Sequence, residues 1–284
     1  MSRDDLRASL TLAAPPRSIV SLVPSLTELV VVWGLAPRLV GVTDFCVSPP
    51  GAFPDAERLR GTKNPDTRRI IGLRPDLVLA DQEESRRIDV ERLREAGLAV
   101  WVTSVRSVRD VAASVRRLGP VLGVQAAGED LAQRILDELE CSSSSGPDER
   151  SRDLTSACMI WRDGPQHGND ECWWSVGPDT YAGDLLRCAG LPPVVVGGDS
   201  RYPRAELDEL RRTSPSLVLL PDEPYEFGDD DAEVFEGWPS SVLRCSGQPL
   251  FWWGHRTPDA LRWLREVRDG CVQDSVRRAK PRSA

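Results

Sequence analysis

The sequence predicts an α/β protein made of two lobes, each built on a parallel sheet. The chain of 284 residues is longer than a typical single small domain. Short apolar runs alternate with amphipathic helical patterns, which is typical of a parallel sheet with helices on its faces. The stretch "RPDLVLADQEE" at 74–84 also returns, 140 positions later, as "SPSLVLLPDEP" at 214–224. Both place a proline before four apolar residues and acids after them.

The first half of the chain predicts four strands and three helices. The helix after the first strand starts at Ser25 and Glu28, which have the spacing of a capping box, and it stops at Gly34. Gly119-Pro120 is expected to end the third helix. The predicted strands are 18–23, 39–43, 77–80 and 99–102, and the helices are 25–33, 88–96 and 107–118.

A longer helix and a polar segment divide the two halves. The helical stripe of about 125–140 would span roughly 24 Å, which is enough to bridge two lobes. The serine-rich segment 142–150 predicts an exposed loop and the domain boundary. We therefore predict an N-terminal α/β lobe at 17–124, a connecting helix at 125–141 and a C-terminal α/β lobe at 153–270. The C-terminal lobe has predicted strands at 156–160, 194–196 and 217–220, and helices at 181–189, 204–212 and 258–268.

The repeated stretch has two interpretations. Corresponding strands of two similar lobes would leave acids such as Glu83 and Glu223 at their C-terminal ends, where open parallel sheets present ligand sites. A buried strand after a proline is also a common pattern, so chance is the alternative.

Composition and charge narrow the function classes. With 36 basic and 44 acidic residues the net charge is -8, which argues against nucleic acid or an anionic membrane surface as partner. No stretch approaches the roughly 20 apolar residues of a membrane span. The N-terminus shows no signal-peptide pattern, and seven cysteines without CxxC spacing favour a reducing compartment. These features predict a cytoplasmic protein that binds a small ligand or another protein. An extracytoplasmic protein whose true start lies upstream is the alternative.

The usual catalytic and metal-binding motifs are absent from the sequence. There is no G-x-S-x-G, H-E-x-x-H or phosphate-binding glycine loop, and a triad built on His255 is a weak alternative. Cys46, His167, Cys172 and His255 are candidate soft ligands, but they lie far apart in sequence. Incidental or buried side chains are the simpler interpretation.

Tryptophans are the more informative residues. Five of the nine lie in three short stretches of the second half. In each Trp-Trp pair one indole fits a core, while the other would point outward and need cover from a planar ligand or a lobe interface. Ordinary core packing is the alternative. The five are Trp161, Trp173, Trp174, Trp252 and Trp253.

Several motifs together resemble the solute-binding proteins of metal-chelate ABC importers. The most specific are "PSLTE" at 24–28, "GTKNPD" at 61–66 and "RPDLVL" at 74–79, within a match that runs in order over about 17–268. The nearest branch is that of the helical-backbone metal receptors, the class III solute-binding proteins that are similar to the cobalamin-binding protein. The resemblance implies two Rossmann-like lobes joined by a single backbone helix, with a metal chelate, most of all cobalamin or another corrinoid, in the cleft between them. It also implies an ABC permease as partner, no intrinsic cofactor and no enzymatic activity.

The resemblance also implies a set of ligand-binding residues at strand ends and in aromatic loops. Tryptophans would stack on the ligand, acids would hydrogen-bond its amides, and Cys46 or His255 would coordinate its metal. Backbone amides at Leu26-Thr27 would accept an anionic group. The implied ligand-binding residues are Ser25, Asp44, Phe45, Cys46, Asp81, Glu83, Glu84, Trp161, Arg162, Trp174, Tyr181, Asp222, Glu223, Trp252 and Trp253.

The chain departs from the family pattern at named positions. Arg87 stands where the N-terminal lobe usually has a glutamate that docks permease arginines, although Asp208 or Glu209 could serve on the other lobe. Ser48 stands where related receptors have a histidine two residues after the cysteine. A cytoplasmic enzyme or pathway accessory protein that reuses the receptor fold without permease docking is therefore the rival interpretation.

Overall fold

The computed structural model describes residues 2–144, 154–163, 172–198 and 200–279. The chain forms two compact units. Unit 1 comprises Met1–Val105 and Arg109–Leu136, and unit 2 comprises Arg106–Val108 and Asp137–Ala284. No helix in the described ranges has the length and apolar character needed to cross a bilayer.

The N-terminal part of the chain folds around a five-stranded parallel sheet with the order β5-β4-β3-β6-β7, and a separate hairpin, β1-β2, precedes it. Its strands are β1 Ser2–Arg3, β2 Ser9–Leu10, β3 Ile19–Ser21, β4 Leu39–Val42, β5 Glu57–Arg58, β6 Leu77–Asp81 and β7 Val100–Thr103. Its helices are α1 Pro24–Val32, α2 Thr67–Leu73, α3 Arg87–Glu95, α4 Val108–Leu122 and α5 Gln125–Ser144, with a short 3-10 helix at Ala36–Arg38.

The C-terminal part of the chain folds around a five-stranded mixed sheet with the order β10-β9-β8-β11-β12. β8, β11 and β12 are parallel, whereas β9 runs antiparallel to both β8 and β10. The strands are β8 Ser156–Asp163, β9 Cys172–Ser175, β10 Arg204–Ala205, β11 Leu217–Pro221 and β12 Ser241–Cys245. The helices are α6 Tyr181–Cys188, α7 Leu207–Thr213, α8 Asp229–Glu233, α9 Gln248–Phe251 and α10 Thr257–Ala279.

Each sheet buries an apolar face of its own. In unit 1 alternate residues of the central strands, such as Val78 and Ala80 of β6, pack with residues of α2 and α3. In unit 2 the matching residues Val218 and Leu220 pack in a cluster that also contains the fully buried Trp173. Burial on both faces explains why the central strands are continuously apolar.

The repeat in the sequence is a repeat in the structure. In each unit a seven-residue helix is followed by a residue with a left-handed backbone conformation. This residue is Arg74 (φ 46°) after α2 and Ser214 (φ 48°) after α7. A proline and a central strand follow. The amides that open β6 bond the carbonyl of Ser18, and those that open β11 bond that of Thr155, with equal spacing in the two units. Chance therefore does not explain the match.

The predicted α/β class is confirmed, but several predicted boundaries are wrong. α1 begins at Pro24, so Ser25 lies inside the first turn and makes no capping bond. α4 continues through Pro120 to Leu122. Gly119 serves close helix packing instead of termination, because a Cβ there would lie 3.1 Å from the Cα of Gly128 in α5.

Further errors concern one predicted strand, the start of one predicted helix and the start of one predicted loop. Residues 194–196 are not a strand: the contact with β8 is limited to an isolated bridge between Pro193 and Ser156, in which the Val194 amide donates to the Ser156 carbonyl at 2.8 Å. The predicted helix at 204–212 begins only at Leu207, after β10. α5 extends to Ser144, so residues 142–144 of the predicted loop at 142–150 are helical, and the remainder of that prediction lies outside the described residues. The predicted lobe limits, the connecting role of the helix at 125–141 and a ligand cleft between the lobes stay predictions.

Candidate functional site

The implied ligand-binding residues separate into two groups by exposure. One group is exposed or half-buried at strand ends and in loops, namely Asp44, Phe45, Glu83, Glu84, Trp161, Arg162, Trp174, Asp222 and Glu223. The other group is buried, namely Ser25, Cys46, Asp81, Tyr181, Trp252 and Trp253. Within the buried group, Cys46 and Asp81 hydrogen-bond groups at the loops that carry the exposed residues of unit 1.

Cys46 lies beneath the loop that follows β4. Its side chain has no exposed surface, and its sulfur lies 3.0 Å from the Thr27 hydroxyl and 3.1 Å from that of Thr43. Burial raises the pKa of the Cys46 thiol above its usual range, although both hydroxyl contacts oppose the shift. A buried protonated thiol held by two hydroxyls is poorly placed to coordinate a ligand metal. We therefore leave Cys46 out of the proposed ligand contacts.

Two more contacts fix the same loop. The Arg58 guanidinium donates to the backbone carbonyls of Thr43 (3.0 Å) and Cys46 (2.9 Å). The Ser48 hydroxyl donates to the buried Glu28 carboxylate at 2.7 Å. With its ends held, the loop presents Phe45 to solvent at 60% exposure. Arg58 was missed in the sequence, and Glu28 was assigned to a capping box instead, because nothing in a sequence marks a residue that supports a loop from a distant position.

Asp81 shapes the loop that follows β6. Its carboxylate accepts hydrogen bonds from the Thr103 hydroxyl at 2.7 Å and the Glu83 amide at 2.9 Å. Burial raises the pKa of Asp81 to about 7, and the nearby carboxylates of Glu84 and Asp5 add to the shift. Asp81 thus lies inside the turn, while Glu83 is half-buried and Glu84 is exposed.

In unit 2 the ends of β8 and β9 carry an aromatic pair. Trp161 and Trp174 are directly opposed in the antiparallel ladder. The register shifts between Met159 and Trp161, so Ile160 is an extra residue that turns Trp161 away from the buried face of Met159. Trp161 is 45% exposed and Trp174 is half-buried, whereas Trp173 is fully buried.

Tyr225 joins this pair and was also missed. Its ring packs edge-on against Trp161, with 5.4 Å between ring centroids. The loop that carries it follows β11, where Asp222 accepts a hydrogen bond from the Gly247 amide at 2.7 Å, and the Glu223-Pro224 peptide is cis. The repeat in the sequence pointed to the end of β11, but only to its acids. We call Trp161, Trp174 and Tyr225 the aromatic face.

Arg162 supports the aromatic face from the other side of the sheet. Its guanidinium lies 5.0 Å from the Trp173 ring centroid and pairs with Asp231. Asp231 in turn accepts a hydrogen bond from the Gly228 amide at 2.7 Å. Arg162 is therefore linked through Asp231 to the segment that follows Tyr225. A ligand that contacts Arg162 would have to bind it together with Asp231.

The last group of predicted ligand-binding residues, Tyr181, Trp252 and Trp253, is buried. Trp252 and Trp253 are 8% and 7% exposed, which fits the alternative of ordinary core packing, and a ligand contact of either indole stays a prediction. The Tyr181 hydroxyl lies 3.0 Å from that of Thr257, which also accepts the Gly254 amide. Tyr181 thereby ties α6 to the loop that holds both indoles.

The described residues contain no group of three or more potential metal ligands among His, Cys, Asp and Glu. His255 is half-buried next to the paired indoles, and His167 lies outside the described residues. The aromatic face combines a 45% exposed indole, Trp161, with the half-buried rings of Trp174 and Tyr225, and it is thus a partly exposed aromatic surface.

Both α/β units thus carry acidic or aromatic side chains in the loops and strand ends described above. A profile of the periplasmic binding protein family matches residues 19–236. The chain belongs to this family of solute-binding proteins.

Named relatives and solved structures agree with this assignment. The chain is 28% identical over 263 residues to a vitamin B12-binding protein of Vibrio cholerae, covering 89% of this chain and 88% of that protein. The fold is similar to the periplasmic heme-binding protein RhuT from Roseiflexus sp. RS-1 (TM-score 0.75, 20% identity, 90% and 99% of the two chains). It is also similar to the periplasmic vitamin B12 binding protein BtuF of Vibrio cholerae (TM-score 0.73, 17% identity, 90% and 98%).

The cytoplasmic prediction is wrong. The family is periplasmic, and one relative is a Bacillus subtilis ABC transporter substrate-binding lipoprotein, 31% identical over 186 residues that cover 64% of this chain and 57% of that protein. These findings point to an extracytoplasmic location. The cysteine count misled the prediction in part, because Cys46 and Cys158 are buried, burial raises the pKa of each thiol, and protonated buried thiols react slowly with oxidants.

Proposed function

We propose that this protein is a receptor for a metal tetrapyrrole, with cobalamin as the first candidate, and that it serves ABC-type uptake. The observation that carries the proposal is the outward pair of Trp161 and Trp174 in a chain whose vitamin B12-binding relative matches it over 89% of its length. The proposed role is binding without catalysis, as the family and the named relatives support.

The aromatic face has the physical properties that a flat macrocycle needs. Indole rings offer broad apolar surfaces with little side-chain entropy to lose, and Trp161 still exposes 45% of its surface. Covering that remainder would contribute about 2–3 kcal/mol. The edge-on ring of Tyr225 restricts the motion of Trp161, so little reorganisation should accompany binding.

Haem is the second candidate ligand. It is favoured by the fold similarity to a heme-binding protein, and it shares a flat, metal-bearing ring with cobalamin. The acids at strand ends, Asp44, Glu84 and Asp222, suit the amide groups of cobalamin better than the carboxylates of haem. That difference places cobalamin first.

The rival interpretation, a cytoplasmic enzyme on the same fold, loses its basis with the corrected location. Uptake would require docking to a permease. Arg87 is exposed at the start of α3, where it pairs with Glu91. Glu209 is bonded to the Gly197 amide, which leaves the exposed Asp208 as the better docking acid of unit 2. We propose that docking depends on unit 2.

Equilibrium titration with cobalamin and with haem tests the ligand. We expect binding of at least one of them with a dissociation constant at or below the micromolar range, together with a raised melting temperature. Trp161→Ala should weaken that binding about ten-fold or more, because it removes one wall of the face.

A matched control separates the site from general loss of tryptophan. Trp263→Ala removes a half-buried indole from α10 of the same unit and should leave the affinity unchanged. Failure of both ligands to bind at tens of micromolar protein and ligand, or equal losses in the two variants, would contradict the proposal.

A further inference from the structure

We propose that Arg204 extends the aromatic face into a row of three residues and binds an anionic substituent at the edge of the flat ligand. The inference rests on the proposed function and adds to it the chemistry of one ligand edge. Its basis is the register of three adjacent strands, β8, β9 and β10.

The register places the three side chains side by side. Trp161 opposes Trp174 between β8 and β9, and Trp174 opposes Arg204 between β9 and β10. Directly opposed residues of antiparallel strands lie on the same face of the sheet, with Cβ atoms about 5 Å apart. The neighbouring pair, Trp173 opposite Ala205, is buried on the other face. The row Trp161-Trp174-Arg204 is therefore a continuous strip across the sheet.

The guanidinium at the end of the strip is available. Arg204 is exposed and makes no side-chain hydrogen bond within the described part of the chain. The described residues form 18 salt bridges, and none of them includes Arg204. The indole N–H of Trp161 at the opposite end is already used, since it donates to Asp163 at 2.7 Å. The strip thus has an acidic end at Asp163 and a basic end at Arg204.

This polarity selects the orientation of a ligand. A macrocycle that stacks on the two indoles would bring its rim to Arg204, whose planar fork suits a carboxylate or a phosphate. Haem offers propionate carboxylates, and cobalamin offers the phosphodiester of its nucleotide loop. Both are anionic substituents outside the ring, so the inference holds for either ligand. Asp163 would repel the same group and exclude the reversed orientation.

Paired ligands test the inference. Haem is compared with its dimethyl ester, and cobalamin with cobinamide, which lacks the nucleotide phosphate. Arg204→Gln should weaken binding of the member that carries the anionic substituent about ten-fold and leave the affinity for the member that lacks it within about two-fold. Arg204→Lys should recover part of the loss, because it restores the charge without the fork. The control Arg212→Gln removes another exposed arginine of unit 2, on α7, and should change neither affinity.

The outcomes distinguish the two proposals. If a ligand binds and Trp161→Ala weakens its binding, but Arg204→Gln changes the affinity for the members with and without the anionic substituent equally or not at all, the role of Arg204 is overturned and the proposed function stands. If neither pair binds, both proposals fall. If only the haem pair responds the anion is the carboxylate, and if only the cobalamin pair responds it is the phosphate; either response supports the inference.

Discussion

The two units contain the same helix–turn–strand repeat with different endings. Up to the first residues of β6 and β11 the repeats agree in helix length, left-handed turn and hydrogen bonds. After the strands they diverge, because unit 1 continues with the buried acid Asp81 and unit 2 with Pro221 and the Tyr225 loop. The framework is thus shared, and the two units differ at their strand ends, where the proposed ligand contacts lie.

The difference shows how each unit holds its exposed residues. Unit 1 uses buried polar groups, Cys46, Arg58 and Asp81, whose hydrogen bonds fix short loops. Unit 2 uses ring packing, with Trp161 against Tyr225 and Arg162 over Trp173. We therefore expect the stability of unit 1 to depend on pH, and we propose that the aromatic face of unit 2 binds a flat ligand.

Equivalent core residues give the largest expected effects. Leu79 and Leu219 occupy the same position of the repeat and have no exposed surface. Leu79→Ala and Leu219→Ala should each lower the free energy of unfolding by about 2–5 kcal/mol and by similar amounts, as measured by urea denaturation. Val242→Ala, at a 37% exposed position, should cost less than about 1 kcal/mol. Costs that differ by more than a factor of two or three between the two leucines would show that the frameworks are not equivalent.

The buried acid gives an intermediate effect that only unit 1 should show. Because the pKa of Asp81 is raised to about 7 in the folded protein, against about 3.9 in an unfolded chain, the native state retains the proton. Stability from this group is complete below about pH 4 and is lost as the pH rises through 7. Asp81→Asn should therefore raise the free energy of unfolding at pH 8 by about 2 kcal/mol and flatten its pH dependence between 5 and 8.

The control for this pH effect is an exposed carboxyl in the same unit. Asp44→Asn should leave the shape of the stability profile as it is in the unaltered protein, because Asp44 is exposed. An Asp81→Asn variant that is less stable at pH 8 than the unaltered protein would mean that the charged form is favoured in the fold.

The smallest effect concerns the repeat helices. Gly72 in α2 stands where α7 has Arg212, and a Cβ at Gly72 would meet no atom within 4 Å. Gly72→Ala should stabilise unit 1 by about 0.5–1 kcal/mol in thermal or urea unfolding, because alanine loses less backbone entropy in a helix. Gly128→Ala in α5 is the opposite case, since its Cβ would lie 2.7 Å from the Val115 carbonyl oxygen, and it should destabilise. Destabilisation by Gly72→Ala would show that the two helices differ in more than sequence.

Much of the fold followed from local patterns, and the site followed only in part. Apolar runs after proline predicted β6 and β11 because buried parallel strands are continuously apolar. β9 was missed, since four residues with two tryptophans match no strand template of useful length. Exposure could not be assigned from sequence: the pair Trp173-Trp174 splits between core and surface through a strand ladder, whereas Trp252 and Trp253 are both buried in a loop.

The central claim is that Trp161 and Trp174 are covered by a flat ligand. Hydroxyl-radical footprinting of the unaltered protein measures the solvent access of each indole directly, with cobalamin or haem according to which one binds in the titrations. The oxidation rates of Trp161 and Trp174 should fall several-fold at saturating ligand, while Trp173 stays unoxidised throughout because it is fully buried. Unchanged oxidation of Trp161 and Trp174 with the ligand bound would contradict the account.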